Sequence, residues 1–131
     1  MLLPLPTAKM RAVSLENHLA LAAMRTGNGN VDQMSCLLKA VYLAWFLRDG
    51  GAGEHVDFFR EAECALECYA THAEQHRGWA LAEDECGAIE SILALHDRQL
   101  ISIPAHRYAA AWEQLKRFIE SDAKSPLPVA Q

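Results

Sequence analysis

The spacing of apolar residues between positions 108 and 119 constrains the fold more than any other feature. Tyr108, Ala111, Trp112, Leu115, Phe118 and Ile119 recur at intervals of three and four, the period that gathers side chains on one face of an α-helix. Pro104 suits the first turn of that helix and forces a break before it. The same period runs backwards through the chain. Cys86, Ile89, Leu93, His96 and Leu100 form a stripe over about Glu83 to Leu100, opened by an acidic first turn that favours the helix dipole. Phe58, Phe59, Ala62, Leu66, Tyr69 and Ala73 form another over about His55 to Arg77, closed by Gly78.

Asn30, with Gln33 three residues on, predicts a capping box for a helix running to about Arg48. That helix is apolar nearly all round (Met34, Leu37, Leu38, Val41, Tyr42, Leu43, Trp45, Phe46, Leu47) and ends at Gly50–Gly53. It is expected to sit at the centre of the core or to lend a face to a partner. Ahead of it, a helix beginning after Thr7 or near Ser14 ends before Gly27. It bears two apolar stripes, one of Leu15, Leu19 and Ala22, the other of Met10, Val13, Leu21 and Met24, and is expected to be covered on both sides. No strand-like alternation and no internal repeat appear. With 131 residues there is room for one core, so the expectation is a single all-α domain, a compact antiparallel bundle of about five helices, with an extended arm over 1–7 and an extended tail over 123–131.

The net charge of −5 is uneven. Residues 54–90 carry ten acids against two arginines, a net −8 that disfavours a broad nucleic-acid footprint. Glu61, Glu63, Glu67 and Glu74, together with Glu83, Asp84 and Glu85, are expected to form an outward acidic surface that docks on a basic face of another protein. No export signal or membrane-length apolar run is read, and the four cysteines are expected to be reduced thiols in a cytoplasm.

Cys64, Cys68, His72 and His76 recur every four residues, a spacing that lets neighbouring side chains on a helix share a metal ion. Four residues turn about 400°, so the row drifts around the helix. One helix then supplies two or three ligands, and Cys86 or His96 must complete the site. The competing expectation packs these thiols and imidazoles at helix contacts; no cofactor is assigned. His72–His76 lacks the glutamate placement of a zinc-protease helix, and no glutamate has histidine three residues later, as diiron bundles need. Glu54 follows Gly50–Gly53 where a phosphate loop places lysine. No Gly-x-Ser-x-Gly elbow occurs, and no enzyme activity is expected. For DNA, the candidate contacts are Arg107, Lys116 and Arg117, with Lys124, on and beyond the last helix.

Four stretches, Leu3–Pro6, Ser14–Leu21, Gln33–Leu38 and Leu47–Gly50, resemble a family of small bacterial proteins loosely labelled Fis-type transcriptional regulators. The resemblance lies in the first half of the chain and implies a regulatory role. Fis proteins proper are basic, with a C-terminal helix-turn-helix, whereas this chain is acidic; no site residue is carried over. The expected function is therefore regulation by protein contact as a homodimer, one form being an inhibitor whose acidic face blocks a nucleic-acid-binding surface. A DNA-associated regulator and a metal- or redox-responsive bundle are the alternatives.

Overall fold

A computed structural model describes residues 3–49, 56–75, 78–121 and 123–128. Within them lie five helices, α1 (Thr7–Arg25), α2 (Val31–Leu47), α3 (Val56–Ala73), α4 (Glu83–Ser102) and α5 (Ala105–Glu120). No strand is found among the described residues, only an isolated bridge between Pro4 and Pro104. The chain is an all-α bundle, as the apolar period predicts.

The local chemistry explains where the helices start and stop. Asn30 Oδ1 accepts from the backbone N–H groups of Asp32 (2.8 Å) and Gln33 (3.2 Å), while Gln33 Oε1 accepts from Asn30 N–H (2.7 Å). This reciprocal cap satisfies orphan donors at the start of α2. Glu85 Oε1 accepts from Ala82 N–H at 2.9 Å and opens α4 in a related way. Between α1 and α2 the chain passes through Gly27 at φ 81°, and a Cβ there would lie 2.5 Å from the Gly78 carbonyl oxygen. Glycine is required by both the backbone angle and the close approach. The α2 helix ends one residue earlier than expected, since Arg48 is already extended, and Gly50–Gly53 lie outside the described residues. The α3 helix ends at Ala73 rather than near Arg77; His55, His76 and Arg77 also lie outside them.

The α2 helix is the axis of the molecule and packs on each of the other four. Leu37, Val41, Leu43, Ala44 and Leu47 are buried, and Tyr42 and Trp45 nearly so. Trp45 meets Phe59 edge-on at 5.3 Å and Tyr42 meets Phe118 at 5.3 Å. Most of the apolar surface on this helix is thereby absorbed within one chain, with Val31 left 70% exposed. The α4 stripe of Cys86, Ile89, Leu93, His96 and Leu100 is buried in full.

Three expectations need correction. Leu15 and Leu19 are 60% and 59% exposed, so α1 is covered on one side only, through Asn17, Ala20, Leu21 and Met24. Its neighbours α2 and α4 occupy that one side. Ile119 at the end of α5 is 56% exposed, because α5 packs chiefly on α2. Finally, Glu63 does not face water. It is buried and accepts hydrogen bonds on Oε2 from Tyr42 Oη (2.6 Å) and Ser125 Oγ (2.5 Å), the pairing that makes a buried carboxylate tolerable.

Both ends of the described chain are tied down. Leu3 C=O accepts from Ala105 N–H at 2.7 Å and Leu5 is buried. Along residues 123–128 of the tail, Leu127 is buried, Ser125 bonds Glu63, and the Arg60 guanidinium donates to the Pro128 carbonyl; residues 129–131 lie outside the described residues.

Candidate functional site

The cysteine and histidine row on α3 does not converge. Cys64 and Cys68 are exposed free thiols lining a groove between α3 and α4. His72 stays beside Cys68, its Nδ1 3.4 Å from Cys68 Sγ and 2.8 Å from the Cys68 carbonyl oxygen, while its ring stacks on Trp79 at 4.3 Å with a 9° interplanar angle. His76 lies outside the described residues. Cys86 and His96, the proposed completing ligands, are both buried in the core. Among the described residues no three His, Cys, Asp or Glu side chains are grouped to hold a metal ion.

The acids divide. Glu61, Asp84 and Glu85, joined by Asp57, line the α3–α4 groove, with Glu83 exposed at its end. Arg60 is the cation in that lining. Glu67 and Glu74 are exposed but one heptad apart on another side of α3, and Glu74 faces the start of α2 beside Asn30 and Val31. Glu63 is internal. Four carboxylates thus form one acidic groove, not seven.

The bases of α5 are exposed but scattered. Nine residues separate Arg107 from Lys116, which puts them on opposite sides of the helix. Lys116 lies 3.6 Å from Glu113 on its own helix, and Arg117 points to a third direction one residue on. They do not form one phosphate-facing strip.

A feature the sequence reading did not single out lies along α1 and α4. Arg11, His18 and Arg25 recur at seven on α1, and Glu90 and Asp97 at seven on α4. His18 Nε2 meets Asp97 Oδ2 at 2.8 Å, and Arg25 meets Glu90 at 2.9 Å. Beside this ladder Leu15, Leu19 and Ile101, the last 71% exposed, flank a groove of about 520 Å³ lined by Met10, Leu15, Leu100 and Ile101. The heptad charge pattern was the signal that could have found it.

On the other side of α1 a smaller cavity of about 310 Å³ lies between α1, α2 and α5 and reaches His96 of α4. Its wall includes Cys36, whose thiol donates to Asn17 Oδ1 at 3.4 Å. Burial, together with the nearby Glu16 carboxylate, pushes that thiol up to about 11, so it remains protonated and is no nucleophile at neutral pH.

No family model, no curated protein and no solved structure matches this chain. Among the described residues no helix is long and apolar enough to cross a membrane.

Proposed function

We propose that the protein is a non-enzymatic regulatory protein that acts by protein contact, as a homodimer joined through the outer face of α1 and α4. The observation that carries this reading is the exposed apolar trio Leu15, Leu19 and Ile101 beside a groove. Large aliphatic side chains of this kind gain about 1–2 kcal/mol each when their remaining surface is covered. Six across a two-fold seam match the several kcal/mol that association costs. The occupant is a second copy because the rim carries both signs. His18 is paired with Asp97 and Arg25 with Glu90 within the chain, so the rim brings little net charge to a two-fold contact and a second copy meets it without like-charge repulsion. The α3–α4 groove, with Asp57, Glu61, Asp84 and Glu85, is then left to meet a basic surface on a target, in keeping with an inhibitor of a nucleic-acid-binding protein.

Sedimentation equilibrium tests the seam. The wild type is expected to be dimeric at micromolar concentration and Leu19→Glu monomeric, with unchanged helical circular dichroism. A monomeric wild type refutes the dimer. For the acidic groove, a target captured from the native host is expected to dissociate with rising salt and to be lost with Glu61→Lys and Asp84→Lys; capture indifferent to both refutes that part.

A further inference from the structure

The cavity between α1, α2 and α5 is built from unlike layers. At its mouth stand two bases, Lys9 and Lys39, and two acids, Glu16 and Asp32, all exposed. Deeper, Leu43 and the aromatic pair Tyr108 and Trp112, whose rings meet edge-on at 6.5 Å, provide an apolar wall. At the bottom is His96, 0% exposed.

The hydrogen bonds around His96 assign its tautomer. Gln99 Nε2 donates to the Ala44 carbonyl at 3.0 Å, which orients the amide so that Oε1 faces the imidazole. His96 Nδ1 lies 3.0 Å from that oxygen. An amide oxygen only accepts, so Nδ1 carries the proton and Nε2 carries a lone pair. Burial holds the imidazole below its ordinary value, which keeps that lone pair free. Yet Nε2 is buried with no partner among the described residues. A bare buried acceptor is costly; Asp97 Oδ1, on the next residue, is also buried without a partner among the described residues, although Asp97 Oδ2 meets His18. His96 is among the residues that line the cavity, so the cavity is where a donor for this nitrogen is sought.

We propose that this cavity binds a small zwitterionic aromatic molecule of amino-acid size, whose ring lies against Trp112 and donates an N–H or O–H to His96 Nε2. Its carboxylate is met by Lys9 and Lys39 and its ammonium by Glu16 and Asp32, a two-sign mouth that a simple anion or cation does not use fully. The cavity volume is at the lower end of small-molecule sites, which start at roughly 300 Å³. The site is separate from the α1–α4 seam, and its test does not depend on the dimer.

The test is NMR titration of protein with ¹⁵N-labelled imidazoles, using L-tryptophan, L-tyrosine and, as a zwitterion with no ring donor, L-leucine. Saturable upfield movement of the His96 Nε2 resonance is expected with at least one of the aromatic amino acids and not with L-leucine. The surface variant Lys39→Glu should weaken that binding by about threefold or more, and His96→Leu by about tenfold. If His96→Leu fails to fold, Lys39→Glu and the wild-type titration decide. No movement with either aromatic amino acid at millimolar concentration overturns the proposal. So does equal movement with L-leucine, or a resonance that reports only a resident water.

Discussion

His96 should make the fold acid-sensitive in a way that one substitution removes. In the native state burial disfavours the imidazolium, with Gln99 and the neighbouring Asp97 pulling weakly the other way, and the net displacement is downward from the ordinary 6.5. In the unfolded chain the same imidazole titrates near 6.5. As pH falls below that value the unfolded state takes up a proton that the folded state refuses. Stability is therefore complete above about 6.5 and is lost as pH falls toward the folded-state value. While the native imidazole stays neutral, the loss approaches about 1.4 kcal/mol per pH unit. Against the roughly 5–15 kcal/mol typical of a domain, a loss of that order is measurable. The comparison is with His96→Gln, which keeps a donor for Gln99 Oε1 and cannot ionise. Urea unfolding followed by tryptophan fluorescence at pH 8, 7, 6 and 5 gives the two profiles. Contributions common to both proteins cancel in the difference. The wild type should fall progressively away from the variant as pH drops below about 6.5. Profiles that run parallel from pH 8 to pH 5 would falsify the claim that the core holds this imidazole neutral.

The remaining predictions concern the core and a turn. Tyr42→Phe withdraws the phenol that donates to Glu63 at 2.6 Å and should cost about 1.5–3 kcal/mol in denaturant titration. Because burial and Glu63 raise the Tyr42 phenol above its ordinary value, its stabilisation is present below about pH 10 and lost above it. The variant should accordingly be less alkali-sensitive than the wild type. Gly27→Ala should destabilise by more than about 1 kcal/mol, since φ is 81° and the new Cβ meets the Gly78 carbonyl. Gly87→Ala, mid-helix with open space around its Cβ, should instead raise the thermal midpoint by about 0.5–1 kcal/mol of added stability.

What the sequence disclosed followed from local chemistry. The Asn30–Gln33 box, the stripe from Cys86 to Leu100 and the Pro104 break are each decided within one or two helical turns, and each is found in the structure. What it concealed depends on distant neighbours. Glu63 stands four residues after Phe59 and three before Leu66, squarely on the buried stripe of α3. Its charge argued for water, and the donors that overrule the charge come from α2 and from the tail. Leu15 and Leu19 have the right period for burial, but period cannot tell whether a helix has a neighbour on that side. The acids of 54–90 were legible as a surplus and not as a surface, because six residues turn Glu67 about 240° around α3 from Glu61 and Glu74 lies beyond the helix end.

Two buried polar residues divide structural from functional reasoning in this chain. Glu63 has donors from Tyr42 and Ser125 and a tail laid over it; every feature around it serves to close the core, and removing a partner should register as lost stability alone. His96 is held as carefully on one nitrogen, through Gln99 and the Ala44 carbonyl, and left open on the other. Orienting one imidazole nitrogen with a relayed amide is wasted if the ring only fills space, for leucine at this position would pack without the desolvation cost. The asymmetry has a use only if something from the cavity meets the second nitrogen. The ligand proposed for the cavity therefore stands or falls on His96 Nε2, whereas the dimer reading rests on Leu15, Leu19 and Ile101.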